Sequence, residues 1–223
     1  MEEEMTAHSI FGKSLFRSVV LFFFAGAALA AMPARAQTVD EAVSAVEKHY
    51  QALTDLTARV IQKNHLKAVG KTLTFEGALL IKKPGKLRLE YTNGQLIVID
   101  GTAALFYSKK SGELIKKTFT DFEHMNIPVA FLLGAGHIRD DFNALQPDQK
   151  DPRSLTLVPK KPGAAMKKLG LESDDSGRIT RLTIFDRSGN VTELAFTDVR
   201  EGVGLADALF SFTPPKGTEI IEQ

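Results

Sequence analysis

Apolar residues along this chain follow two different periods. From Thr38 to Leu53 they recur at helical spacing, with Val43, Val46, Tyr50 and Leu53 on one face. Thr38 and Glu41 stand ahead of that face with capping-box spacing, which predicts a single helix opening the folded domain. From Leu56 onward the pattern changes to short alternating runs, the mark of half-buried strands. The clearest are Leu73 to Lys82, Leu87 to Tyr91, Gln95 to Asp100, Ala103 to Tyr107, Leu114 to Thr118, Ser154 to Val158, Ile179 to Phe185 and Val191 to Val199. Asn93-Gly94, Asp100-Gly101, Ser111-Gly112, Ser176-Gly177 and Ser188-Gly189 punctuate them as hairpin turns. The sum is an antiparallel meander, with too few helical crossovers for a parallel sheet.

One segment interrupts the meander. Between Asp121 and His137 the chain is apolar at Phe122, Met125, Val129, Leu132 and Leu133, and Pro128 suits the first turn of a short helix. A twisted sheet with one long helix and this insert predicts an α+β fold: an antiparallel incomplete barrel with a helical cover. Alternation assigns the faces. Leu73, Phe75, Leu79 and Ile81 share one side of their strand, as do Leu87, Leu89 and Tyr91, Leu182 and Ile184, and Leu194 and Phe196 in theirs. All can point into one concavity, which would serve equally as an ordinary core plugged by helices or as an apolar pocket.

Residues 1–36 read as a secretory signal rather than as fold. Lys13 and Arg17 precede an apolar run from Val19 to Ala31, and Ala34-Arg35-Ala36 supplies a small-x-small cleavage site, so the mature chain is expected to start at Gln37. The run is short of the ~20 residues a membrane-spanning helix needs. Glu2, Glu3 and Glu4 are foreign to such a signal, so Met5 competes with Met1 as the start. Residues 37–223 are then expected to form one exported domain, large enough to bury a sizeable core.

Composition narrows the chemistry. With no cysteine, the chain lacks a lipidated N-terminal thiol, a disulfide framework and a thiol nucleophile. Its 28 basic and 27 acidic residues give no net basic excess for a nucleic-acid partner. Fifteen phenylalanines and no tryptophan supply apolar area without a polar handle to satisfy, which suits either a dry pocket or a core.

Catalytic signatures are missing. There is no Gly-x-Ser-x-Gly elbow, His-Glu-x-x-His pair or Walker loop, and Gly134-Ala135-Gly136 is a helix stop. His49, His65, His124 and His137 are too scattered to form a ligand set, and Asp186 to Asn190 lacks the twelfth-position glutamate of a calcium loop. Asp140-Asp141 and Asp174-Asp175 fall in polar turns where nothing raises a carboxyl pKa for acid–base work. The expectation is a binding protein, not an enzyme, with neither metal nor cofactor.

Several stretches, in order, resemble the periplasmic outer-membrane lipoprotein carriers of the LolA family: FEGALLIKKPGKLRLEY, VIDGTAALFY, IPVAFLLG, LTIFDRSGNVTELAFTDV and LFSFTPPKGTEII. The most specific parts are the strand-Lys-Pro-Gly-Lys-Leu-Arg corner and the Phe-x-Phe-x-Pro-Pro-x-Gly ending. The resemblance implies a half-barrel of about eleven strands whose concave face is covered by a helical lid that opens to admit acyl chains. It implies a periplasmic monomer that takes acylated lipoproteins from an inner-membrane lipoprotein-releasing ABC transporter and passes them to an outer-membrane receptor where one exists. By the same resemblance, a basic residue before the corner proline latches the lid. Here that residue is Lys83, where arginine is the familiar choice, and its neighbour Lys82 is placed to share the role; Lys86 and Arg88 are expected to be solvated. Two other readings remain open: a sensor or regulatory module on the same half-barrel, and a carrier of another lipid.

Overall fold

The computed structural model describes residues 38–119, 137–145, 154–161 and 166–222. Helix α1 (Val39–Ala52) starts as its sequence dictates: the Glu41 amide donates to Thr38 Oγ1 at 3.2 Å and the Thr38 amide donates to Glu41 Oε2 at 2.8 Å. Such a box satisfies two amides that have no helical partner and contributes about 1 kcal/mol. Its apolar stripe, Val43, Val46 and Tyr50, is buried.

Among the described residues twelve strands follow: β1 (Asp55–Leu66), β2 (Lys71–Lys82), β3 (Lys86–Tyr91), β4 (Gln95–Asp100), β5 (Ala103–Ser108), β6 (Glu113–Thr118), β7 (Phe142–Leu145), β8 (Ser154–Pro159), β9 (Met166–Ser173), β10 (Ile179–Asp186), β11 (Val191–Glu201) and β12 (Glu219–Glu222). A one-turn helix, α2 (Ile138–Asp141), precedes β7 and takes up the Asp140-Asp141 pair, which the sequence pattern places in a turn. The strands form one sheet in the order β12-β6-β5-β4-β3-β2-β1-β11-β10-β9-β8-β7. Because β12 and β7 are edges and do not pair, the barrel is incomplete. Among the described residues the count is twelve, in keeping with a half-barrel of about eleven strands. The edge strand β12 alone among the described strands runs parallel to its neighbour, β6.

A register shift between Thr57 and Arg59 interrupts the β1–β11 ladder, and Asp198 on the bulged strand takes φ 52°. Bulges of this kind increase local twist and bend a sheet. On the inner face, α1 packs on side chains from β1, β2, β3, β8, β9 and β10 in one apolar cluster. The β9–β10 turn also approaches the helix closely: Gly177 has φ +85°, and a Cβ there would overlap the Ala45 carbonyl. Only glycine meets both demands.

The outer face carries a second apolar layer. Leu96, Val98 and Leu114 alternate with inward residues yet are buried, outside the main cluster. A 3-10 turn at Asp207–Phe210 lies against β3 and β4, Phe210 is 1 % exposed, and the Phe212 ring lies 5.0 Å from that of Tyr107. The C-terminal stretch therefore wraps the back of the sheet before adding β12.

Candidate functional site

Register fixes which side chains share the concave face. Leu56, Ile81 and Leu87 are in line across β1, β2 and β3, followed one step along by Ala58, Leu79 and Leu89, and then by Val60, Gly77 and Tyr91. On the other side of β1, Phe196 faces Val60, Leu194 faces Gln62, and Leu182 faces Leu194. Leu79, Ile81, Leu87, Leu89, Tyr91 and Leu182 belong to the buried cluster; Phe75, Ile184, Leu194 and Phe196 pack against it. Leu73 departs from the set: it is 44 % exposed near the open end of β2, beyond the reach of α1. Of the expected cover, Phe122, Val129, Leu132 and Leu133 lie outside the described residues, as do residues 1–36, the expected signal.

The concave face is filled at one end and open at the other. Under α1, between Tyr50, Leu56, Ile81 and Phe196, the free space amounts to about 10 Å³, no more than one water could occupy. Toward the β1–β2 hairpin a concavity of about 420 Å³ opens over Phe75, Tyr91, Ile97, Phe106 and Ile115, with Gln62, Asn64, Gln95, Ser108 and Glu113 around it. That volume is within the ~300–1,000 Å³ typical of ligand sites.

Helix α1 is held from several sides. It ends at Ala52, so the Tyr50 carbonyl has no fourth-following helical amide to accept from. The Lys83 ammonium, at the corner between β2 and β3, donates to that oxygen. Burial lowers the Lys83 pKa, since a low-dielectric setting disfavours the charged form. The Tyr50 hydroxyl accepts from the Ile179 amide at 3.3 Å, and burial pushes its phenol pKa far up. His49 Nε2 meets Glu201 Oε1 at 2.9 Å. From α2, Arg139 pairs with Glu47, itself 9 % exposed, and reaches Ser44 Oγ at 2.8 Å and the Asp40 carbonyl at 3.2 Å.

The other two lysines of the corner face the back of the sheet. Lys82 and Lys86 are opposite one another in register, and both grip Asp207, at 2.6 and 3.0 Å. Their hydrogen bonds hold the Asp207 carboxyl below its ordinary pKa. Lys82 also donates to the Leu205 carbonyl at 2.7 Å. Lys86 is thus engaged rather than simply solvated, and Arg88 pairs with Glu90 at 3.0 Å and reaches the Leu209 carbonyl at 3.5 Å. Asp55, 5 % exposed, accepts from the amides of Val203, Gly204 and Leu205 at 2.7, 3.1 and 3.3 Å and anchors the start of the same segment. Three lysines around one Pro-Gly corner therefore divide their work between the helix inside and the C-terminal wrap outside.

Sequence reasoning missed Gln62, Asn64, Gln95, Ile97, Phe106 and Ile115 as parts of the concavity. The polar inward positions of β1 break its alternation, so no apolar face marked it. Ile97 and Phe106 carried a readable signal, because they alternate with buried Leu96 and Val98 and with Leu105 and Tyr107. Among the described residues no group of three or more His, Asp or Glu is placed to hold a metal ion.

The profile of the family described as outer membrane lipoprotein carrier protein LolA matches residues 51–213. Two relatives, each named outer-membrane lipoprotein carrier protein, come from Nitrosomonas europaea and Cupriavidus necator. They are 27% identical over 193 residues and 29% over 195, covering 85% and 86% of this chain and 91% and 90% of the relatives. Among solved structures, an uncharacterized conserved protein from Thermus thermophilus is similar with a TM-score of 0.51 at 16% identity, over 84% of this chain and 100% of that one, and so shares the fold. The profile match runs from the last turn of α1 through all of β1 to β11 and on to the Phe210–Phe212 wrap, and on that extent the chain belongs to the outer membrane lipoprotein carrier protein LolA family.

Proposed function

We propose that this protein is an exported carrier that holds the acyl chains of lipoproteins between its sheet and α1 and moves them through the periplasm from the inner to the outer membrane. In this reading residues 1–36 are removed on export and 37–223 form the carrier domain. Cargo comes from a lipoprotein-releasing transporter of the inner membrane and passes to a receptor at the outer membrane. The protein works by binding alone, and family membership is consistent with a carrier rather than an enzyme.

The observation that carries the reading is an apolar concave face closed by a helix whose fastenings are mostly polar. An acyl chain leaving a membrane loses ~0.8 kcal/mol per methylene, or about 12 kcal/mol for roughly fifteen methylenes, unless another apolar surface receives it. The same surface left uncovered would aggregate. Leu79, Ile81, Leu87, Leu89 and Leu182 meet both needs: packed under α1 when empty, they become lining when it lifts. Lys83 is the latch in this account, through its hydrogen bond to Tyr50.

Native mass spectrometry of the protein isolated from the periplasm of its host tests the proposal. The expected spectrum contains adducts whose fragments are diacylglyceryl-cysteinyl peptides, on a chain beginning at Gln37. A protein carrying phospholipid alone, or retaining Val19 to Ala31, would contradict it.

A further inference from the structure

The open concavity has an ordered polarity. One row across the sheet is apolar: Leu89, Ile97, Phe106 and Ile115 are in line from β3 to β6. The next inward-facing row toward the open end, about 7 Å away at ~3.4 Å per residue, is polar: Gln95, Ser108 and Glu113. Beside it the Tyr91 hydroxyl donates to Gln62 Oε1, and Gln62 Nε2 donates to Asn64 Oδ1 at 2.9 Å. This relay runs in one direction and ends at the Asn64 amide nitrogen, whose protons have no partner among the described residues. The concavity is thus a step from hydrocarbon to neutral hydrogen-bond donors. Among the described residues no Lys or Arg lines it, and its one charge is the Glu113 carboxylate.

Resting on the carrier reading above, we infer that the row around Gln62 and Asn64 is a head-group subsite that takes the neutral ester and amide carbonyls of an acylated glyceride, and excludes phosphate-bearing lipids. Carboxamide donors match carbonyl oxygens without a charge to neutralise. A phosphate would need the charge-assisted donors this lining lacks, and it would face Glu113. Selection against the phosphate thus combines like charge with missing attraction. The carbonyl chemistry is shared by a free diacylglycerol and by a diacylglyceryl-cysteinyl chain end.

Competition against a pyrene-labelled hexadecane tests the inference, with three competitors bearing the same palmitoyl chains: dipalmitoylglycerol, an S-(dipalmitoylglyceryl)-cysteinyl peptide and dipalmitoyl phosphatidic acid. The parent protein should be displaced by both neutral competitors at about tenfold lower concentration than by the phosphatidic acid, the worth of one to two hydrogen bonds. If the peptide outcompetes dipalmitoylglycerol, the chain-end amide is also read; equal competition assigns the selectivity to the ester carbonyls. Gln62→Leu and Asn64→Leu should each weaken the neutral competitors about three- to tenfold relative to the labelled hydrocarbon. Asn64→Lys should improve phosphatidic acid, a gain that a misfolded variant cannot mimic. Equal competition by phosphatidic acid in the parent would overturn the inference. So would loss of hydrocarbon uptake in step with the neutral competitors, since the side chains would then only shape the pocket. A parent that takes up no hydrocarbon at all would instead remove the carrier reading, and the subsite with it.

Discussion

The Lys83 ammonium donates to the backbone carbonyl of Tyr50, joining a sheet corner to the last turn of a helix 33 residues earlier in the chain. The acceptor exists because α1 stops at Ala52 and leaves that carbonyl without a helical amide. The donor reaches it because Pro84 and Gly85 turn the chain between β2 and β3, with Lys82 and Lys86 committed to Asp207 on the other face. A charged donor to a neutral acceptor is worth roughly 1.5–3 kcal/mol, enough to bias lid position without deciding whether the protein folds.

Replacing Lys83 by Met keeps the length and removes the donors. Amide hydrogen exchange in α1, from Val39 to Ala52, should rise about tenfold or more, the factor that such a bond implies. Protection in β10 and β11 should be unchanged. Identical exchange in α1 of the variant and the parent would reduce Lys83 to a turn residue.

Arg139 holds the same helix through Asp40, Ser44 and Glu47. Its partner Glu47 is nearly buried, so Arg139→Met leaves a carboxylate without its cation and should cost about 1–3 kcal/mol in denaturant unfolding. Removing the charge as well, in Arg139→Met with Glu47→Met, should recover much of that loss. Strict additivity of the two single changes would show that the pair is not coupled.

Alkaline stability has a defined sign. Burial pushes the Tyr91 phenol up to about 12, against about 10 for an ordinary tyrosine. The folded protein therefore keeps a proton that the unfolded chain gives up between these values. The Tyr91 contribution is complete below about pH 10 and is lost as the pH rises through about 12. Tyr50 shifts in the same direction and further. Phenolate absorbance from these two tyrosines should appear with base unfolding, and Tyr91→Phe should lessen the fall in stability above about pH 10. Ionisation of all three tyrosines near pH 10 with the fold intact would contradict this.

The outer layer makes a separate prediction. Phe210 is 1 % exposed on the back of β3 and β4. Phe210→Ala should destabilise the protein by about 3 kcal/mol and free the C-terminal wrap, with faster exchange in β12 and in the amides of Val203 to Leu205. A change confined to α1 would show that the two faces are not independent.

How much of this could be read from the sequence follows from what each element buries. Helix α1, capped by Thr38 and Glu41, and strands β2 to β6, with apolar residues at alternate positions and glycine turns between them, announce themselves locally. Strand β1 does not, because Gln62 and Asn64 occupy inward positions and its pairing is decided by two long neighbours, β2 and β11. The four residues of β12 are too short to carry a period, and their place depends on a wrap fastened by Asp55, Lys82 and Lys86. The lysine corner could be seen, but which lysine faced which way could not. That depended on the register that sets Lys82 opposite Lys86 on the outer face.

The most direct test of the carrier reading is whether the protein keeps a triacylated lipoprotein soluble. Detergent-free mixtures of the protein with a purified lipoprotein, and with the same lipoprotein bearing serine in place of its acylated cysteine, should be compared by sedimentation and size exclusion. The account predicts a soluble one-to-one complex with the acylated form and none with the unacylated form. Equal binding of both forms, or sedimentation of the acylated form as if the protein were absent, would contradict it.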